Sequence, residues 1–109
     1  MPKLKVISKY GVGTNNLDIG AIRERGIRLA VSPGSNSQSV AEYALYLMLL
    51  SLRKNFNNLQ EISQKIWSQK KGRELYNSKI GIIGFGNIGK KLALLLRPFH
   101  VEIMIFDLV

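Results

Sequence analysis

Residues 80–89 read Ile-Gly-Ile-Ile-Gly-Phe-Gly-Asn-Ile-Gly, an apolar strand that runs directly into a glycine-rich turn of the form G-x-G-x-x-G. The turn opens a helix that is predicted to run to about Arg97, because Pro98 cannot continue it. A second apolar run over residues 101–106 predicts another strand, which ends at Asp107. The pattern predicts a β-α-β unit with parallel strands.

Each position of this turn suits a bound pyrophosphate. The first glycine allows the tight turn, the second lets the phosphates approach the backbone, and the third lets the helix pack closely on the sheet. The amides that follow point at the phosphates, and the helix dipole assists them. The candidate cofactor-binding residues are Gly84, Phe85, Gly86, Asn87, Ile88, Gly89 and Asp107.

Asp107 lies 18 positions after Gly89, close to the spacing of about 20 expected of a ribose-binding acid. A carboxylate there can accept hydrogen bonds from the ribose hydroxyls and would repel a 2′-phosphate, which favours NAD over NADP. In the plainer alternative, the glycines only pack a helix against a strand and Asp107 merely ends a strand.

The first third of the chain predicts a second parallel unit. Strands are expected over residues 4–8 and 27–31, joined by a short helix that Asp18 opens and Gly26 ends. The loop over residues 9–16 contains two glycines and two asparagines, which is typical of a tight turn with exposed backbone amides.

The middle of the chain predicts helices. Residues 32–38 form a linker, and Ser39 with Glu42 matches a capping box at the start of a helix to about Arg53. That helix is apolar almost all round, so we expect it to be buried on several sides. A weaker amphipathic helix is predicted over residues 57–67, with Leu59, Ile62 and Ile66 on one face, followed by a polar loop to residue 77.

The composition excludes several kinds of site. With no cysteine and one histidine, we expect no disulfide and no metal site. The net charge of +9 is scattered, so surface charge is favoured over a nucleic-acid footprint, which stays an alternative. The N-terminus has no signal core, and the apolar stretch over residues 40–52 is too short to cross a bilayer. A soluble, cytoplasmic protein with no membrane partner is expected.

Taken together, the motifs resemble those of the D-isomer-specific 2-hydroxyacid dehydrogenases, and among them the phosphoglycerate dehydrogenase-like members. Trp67 also lies where that family has a tryptophan. Ser32 departs from the family, which often has Asn or Thr before the proline. The stretches that carry the resemblance are residues 9–18, 32–36, 39–42 and 80–89.

The resemblance implies an α/β fold of Rossmann-type β-α-β units, incomplete relative to the family. Residues 1–32 would be the end of the substrate domain, and residues 33–109 the crossing helix and first half of the NAD-binding domain. Backbone amides of Gly11, Val12 and Gly13 would lie near a 2-hydroxy or 2-keto acid substrate, with Val12 also near NAD. Some members of the family have a hydroxyl side chain near the cofactor at the position of Val12. Valine cannot make that side-chain contact, so only a backbone contact is expected.

The reaction implied by the resemblance is hydride transfer between NAD and a 2-hydroxy acid. The family's catalytic Arg, Glu and His lie beyond the position of Asp107, so we assign no catalytic residue and expect this piece to be inactive alone. His100, at an ordinary turn, is not the catalytic histidine. The alternative function is a non-catalytic, NAD(H)-sensing interaction module of the same family. The apolar helix predicts self-association, most simply as a homodimer.

Overall fold

The computed structural model describes residues 3–67 and 71–108, with the side chains of residues 55–58 excepted. The chain divides into two compact units, Met1–Asn36 and Ser37–Val109.

The first unit is a single parallel β-α-β motif, as the sequence predicts. Strand β1 (Val6–Ser8) pairs in parallel with β2 (Arg28–Ala30), and helix α1 (Ile19–Glu24) connects them. The Asp18 carboxylate caps α1 by accepting the Ala21 N–H at 2.9 Å, which satisfies one of the free amides of the first turn. Gly26 follows the helix with a φ of +62°, a conformation that favours glycine.

In its described residues the second unit holds two further strands, again parallel, and three α-helices. Strands β3 and β4 pair in register from Lys79 opposite Glu102 to Ile83 opposite Phe106. In chain order the elements are α2 (Ser37–Leu52), α3 (Asn55–Ser63), β3 (Lys79–Ile83), α4 (Asn87–Leu96), a 3₁₀ helix (Arg97–Phe99) and β4 (Glu102–Phe106). The predicted β-α-β unit around the glycine turn is therefore confirmed.

The buried core of the second unit lies where α2 and α4 pack together and against β3. Leu92 and Leu96 of α4 point into this core, and Leu95 is partly buried beside them. The polar segment before β3 also contributes one buried side chain, Leu75, which the sequence pattern did not single out. The buried set is Ala41, Leu75, Ile82, Leu92 and Leu96.

The capping box predicted for Ser39 and Glu42 is wrong. Helix α2 begins two residues earlier, at Ser37, so Ser39 lies inside its first turn and cannot be the N-cap. The Glu42 side chain instead accepts a hydrogen bond from Gln38 Nε2 at 2.8 Å, a contact between neighbours one helical turn apart.

The predicted helix over residues 57–67 is shifted. Helix α3 ends at Ser63, and the backbone N–H of Gln64 closes its last turn, so Ile66 and Trp67 lie beyond the helix. Leu59 and Ile62 are exposed, so the expected apolar face is not buried within the described part of the chain. The predicted loop over residues 70–77 is confirmed from residue 71 onward, and residue 70 lies outside the described residues.

Two apolar elements, β3 and α2, are partly exposed, although α2 was expected to be buried on several sides. In β3 only Ile82 is buried, and Ile83 is 88% exposed. In α2, Ala41 and Leu50 are buried, whereas Tyr43 and Tyr46 are more than half exposed. A strand or helix that is apolar on all sides needs neighbours on all sides. These two elements therefore present apolar surface that the second unit by itself does not cover.

Across the described ranges, no helix combines the length and the hydropathy needed to cross a membrane.

Candidate functional site: the glycine turn and Asp107

The glycine turn joins β3 to α4 in three residues. Gly84 continues the sheet by donating its N–H to the Phe106 carbonyl at 2.8 Å, and it then takes a φ of +89°. Residues with a Cβ rarely adopt this conformation, so the sharp exit from the strand depends on glycine at this position. Gly86 is the N-cap of α4, with extended backbone, and the helix begins at Asn87.

Gly89 brings α4 against the turn. A Cβ built at this position would lie 2.3 Å from the Gly84 carbonyl oxygen and 3.3 Å from the Ile82 side chain. The first distance is far inside van der Waals contact, so only glycine allows the first turn of α4 to approach the strand this closely. The close packing expected of the third glycine is present.

The N-terminus of α4 is open to an anion. A Cβ at Gly86 would meet nothing within 4 Å, so there is space beside its backbone. The first turn of α4 has no acidic side chain, and none of the described side chains caps its N-terminus. The free amides of this turn and the positive end of the helix dipole are therefore available to a phosphate.

A cavity of about 480 Å³ lies between β3 and α4. It is lined by residues 81–84, by Gly86, and by Ile88, Gly89 and Leu92 of the helix. No described residue of β4 lines it. Its volume lies within the range of small-molecule sites. The glycines among its lining residues have no side chains to fill it.

Asp107 lies at the same end of the sheet as the turn. One carboxylate oxygen, Oδ2, accepts the Phe85 N–H at 2.5 Å, and the other, Oδ1, accepts the Leu108 N–H at 2.7 Å. The side chain is exposed to solvent. The acid predicted to meet a ribose is thus fixed directly beside the residues predicted to meet the phosphates.

The second candidate loop, residues 11–13, belongs to the first unit. Gly11 has a φ of +119°, and a Cβ at Gly11 or at Gly13 would meet nothing within 4 Å. Val12 is exposed. The loop therefore presents open backbone, as its composition predicts. Because it lies in a different unit from the glycine turn, its predicted approach to the cofactor stays a prediction.

Lys9 organises this loop, which the sequence pattern did not reveal. Its Nζ donates to the Gly13 carbonyl and, at 2.5 Å, to Asn16 Oδ1. Its backbone N–H donates to the Ala30 carbonyl at 2.9 Å, extending the β1–β2 pairing by one residue. A lysine followed by a loop rich in glycine and asparagine was the available signal, because such loops expose carbonyl and amide oxygens.

His100 lies far from the glycine turn. It follows the 3₁₀ helix in a left-handed turn before β4 and packs edge-on against Tyr76, with ring centroids 5.3 Å apart. Since β3 and β4 are parallel, His100 lies at the opposite end of the sheet from Asp107. Within residues 3–67 and 71–108, no cluster of three or more His, Cys, Asp or Glu side chains could hold a metal ion.

Comparison with known proteins places this geometry in a family. The family model described as D-isomer specific 2-hydroxyacid dehydrogenase, catalytic domain, matches residues 1–97. A hydroxypyruvate reductase of Thermotoga maritima is 37% identical over 106 residues, which are 95% of this chain and 35% of that protein. A D-3-phosphoglycerate dehydrogenase of Methanocaldococcus jannaschii is 37% identical over 107 residues, 96% of this chain and 20% of that protein.

The fold is also found in solved structures. The NAD-dependent formate dehydrogenase of Staphylococcus aureus, solved in complex with NAD, superimposes with a TM-score of 0.87 at 34% identity. The match covers 99% of this chain and 34% of that chain. The chain thus spans about a third or less of the length of these relatives. It has the predicted Rossmann-type α/β fold and belongs to the family of D-isomer-specific 2-hydroxyacid dehydrogenases.

Proposed function

We propose that the second unit binds the adenosine half of NAD at the glycine turn. One observation carries the proposal: the open N-terminus of α4 at Gly86 and the Asp107 carboxylate lie on the same turn, joined through the Phe85 N–H. An anion-binding helix end beside an exposed acid matches a pyrophosphate followed by a ribose diol.

The residues present fit this group. The backbone from Gly86 to Ile88 would receive the pyrophosphate, Asp107 would accept hydrogen bonds from the ribose hydroxyls, and Gly84 and Gly89 would shape the turn. NAD, when bound, supplies the nicotinamide that accepts or donates the hydride. Relatives solved with NAD support the choice of cofactor.

The carboxylate of Asp107 should make the site selective for NAD. A 2′-phosphate would place negative charge against this acid, so NADP should bind at least about tenfold more weakly than NAD. The test is a calorimetric titration of the chain with both nucleotides. Asp107→Asn should narrow the difference between the NAD and NADP affinities. Glu102→Gln, at the other end of β4, should leave that difference unchanged. NADP binding as tight as NAD binding with Asp107 intact would refute the assignment.

For the longer protein that a family member forms, we propose hydride transfer between NAD and a 2-hydroxy or 2-keto acid. In this proposal the first unit ends the substrate domain and its loop at residues 11–13 offers backbone amides to the substrate carboxylate. Residues 33–109 then form the crossing helix and the start of the NAD-binding domain. The similar relatives act on different acids by name, so the particular acid is left open.

We propose that these 109 residues do not turn over substrate by themselves. Hydride transfer from a carbinol carbon needs a general base within hydrogen-bond reach of the hydroxyl and a cation for the carboxylate. Among the described residues at the glycine turn none is a histidine, and His100 lies at the other end of the sheet. Measurable reduction of glyoxylate or hydroxypyruvate by NADH with this chain alone would contradict the proposal.

We also propose that the chain self-associates through α2. Tyr43 and Tyr46 stack with ring centroids 6.0 Å apart on the exposed side of the helix, next to Leu47. A contiguous exposed apolar surface of this kind is typical of an interaction site. A second copy of the chain, forming a homodimer, is the partner that we propose.

A further inference from the structure

The Asp107 carboxylate makes a hydrogen bond to the glycine turn within the protein itself. The carboxylate connects residues 22 positions apart, through a 2.5 Å bond from the Phe85 N–H to Oδ2. Its second oxygen, Oδ1, accepts the Leu108 N–H at 2.7 Å, so both oxygens are anchored to backbone.

The position of the contact follows from the end of the sheet. The β3–β4 pairing ends with the bond from the Gly84 N–H to the Phe106 carbonyl. In a regular strand, successive N–H groups point to opposite edges, so the next amide, that of Phe85, would point away from β4. The positive φ of Gly84 turns the chain at this point, and the Phe85 N–H meets the Asp107 side chain instead. The Asp107 side chain thus accepts an amide that the β3–β4 pairing itself would leave without an acceptor.

We propose that Asp107 is a positioning residue for the glycine turn, holding Gly84–Gly86 in the conformation that leaves the N-terminus of α4 open. A hydrogen bond from a backbone amide to a carboxylate is about twice as strong as one to a neutral acceptor. The inference deepens the proposed function and rests on it only for the identity of the ligand, because both partners of the hydrogen bond belong to the protein.

The dual role has a consequence for cofactor selectivity. Replacing Asp107 by a residue without an acceptor removes the charge that repels a 2′-phosphate, but it also leaves the Phe85 amide without this partner. Asparagine removes the charge and keeps one oxygen acceptor. Admitting a phosphorylated ribose without loosening the turn therefore requires an acceptor at position 107.

The experiment is amide hydrogen exchange by NMR on the full chain without nucleotide. We expect the Phe85 amide to exchange about tenfold or more faster in Asp107→Ala than in the parent chain, with Asp107→Asn between them. The Gly84 amide, bonded to the Phe106 carbonyl, reports on the sheet and should not change. Glu102→Gln, which removes an exposed carboxylate 3.1 Å from Lys79 at the other end of the strand, should leave Phe85 unchanged.

Two results would overturn the positioning role: equal exchange of Phe85 in the parent and in Asp107→Ala, or equal acceleration of Gly84 and Phe85, which would indicate general loosening. The Phe85 amide proton shift is a second readout. It should lie downfield in the parent chain, move upfield in Asp107→Ala and recover in part in Asp107→Asn.

Titration of the same samples with ADP-ribose separates this proposal from the nucleotide site. A protected Phe85 amide that depends on Asp107, together with no ADP-ribose binding, refutes the proposed function and supports the positioning role. If ADP-ribose binds but the exchange rate of the Phe85 amide does not depend on Asp107, the proposed function is supported and the positioning role is refuted.

Discussion

At the scale of single residues, the glycine turn shows that three glycines of one motif meet different physical demands. Gly84 needs a positive φ, Gly89 needs the absence of a Cβ, and Gly86 has open space beside it. Spacing alone predicts the motif but does not rank these demands. The structure distinguishes them, and substitution of each glycine should therefore cost a different amount of stability.

Gly89→Ala should destabilise the chain by about 1–3 kcal/mol, because the added methyl group would lie 2.3 Å from the Gly84 carbonyl oxygen. Urea unfolding followed by circular dichroism measures this change. Gly81→Ala, on the neighbouring strand where a Cβ meets nothing within 4 Å, is the matched control and should differ from the parent by much less. Equal effects of the two substitutions would mean that the close approach at Gly89 is not what the helix needs.

Lys9→Met should loosen the loop over residues 10–16, because the ammonium group bridges the Gly13 carbonyl and Asn16 Oδ1. We expect a loss of at most about 1 kcal/mol of local stability, since both contacts of the ammonium group are exposed to solvent. Hydrogen exchange of the Leu17 amide, which bonds the Thr14 carbonyl at 2.9 Å, reports on the loop. Lys5→Met, at an exposed position before β1, should leave that amide unchanged.

At the scale of elements, the sequence predicts most of the helices and strands, and the differences have clear causes. The two β-α-β motifs are confirmed because Asp18, Gly26 and the glycine turn mark their boundaries locally. Helix α2 begins at Ser37, earlier than the predicted capping box at Ser39 suggests. The sequence predicts the end of an element well where one particular residue type is needed there. It does so less well where several neighbouring polar residues could cap the helix.

The burial of β3 and α2 could not be derived from periodicity. Ile83 and Tyr43 lie in apolar segments yet are exposed, because burial depends on which neighbours surround an element. Leu75 shows the opposite case: it lies in a polar segment and is buried against the core. The positions of the glycine turn and of Asp107 follow from local sequence signals, and their role in binding stays a prediction. The Phe85–Asp107 and Lys9 contacts could be found only in the three-dimensional structure.

Tyr46→Glu should weaken the self-association proposed for α2, because it places a charge in the exposed apolar surface beside Tyr43 and Leu47. Sedimentation velocity over a range of concentrations should show a dimer for the parent chain and a shift to monomer for the variant. Arg53→Gln, at an exposed position just beyond the end of α2, lowers the net charge by the same one unit and is the control. A parent chain that stays monomeric at all concentrations would contradict the proposal.

At the scale of the whole molecule, the two units differ in how much core they contain. The buried hydrophobic cluster belongs to the second unit, whereas no described residue of the first unit is buried. Buried apolar area is the main source of stability, so the first unit should open at a lower free energy.

Amide exchange should therefore differ between the units. The Lys9 amide, which extends the β1–β2 pairing, should exchange faster than the Gly84 amide, which extends the β3–β4 pairing. Native-state hydrogen exchange at low denaturant measures both in one sample. If both amides have the same opening free energy and it depends on denaturant concentration in the same way, the two units unfold as one.

The net charge of +9 offers a competing explanation of nucleotide binding, by general attraction of anions. Such attraction weakens steeply with salt and does not select a ribose. Site-specific binding at the glycine turn depends on particular backbone amides, and the measurement that separates the two must therefore resolve individual residues.

That measurement is an NMR titration of the full chain with ADP-ribose at physiological salt, following each backbone amide. We expect saturable shifts centred on Gly86, Asn87 and Ile88 and extending to Asp107, with the strands of the first unit unchanged. Shifts that fail to saturate, or that cluster at scattered lysines and arginines, would contradict an NAD site at this turn.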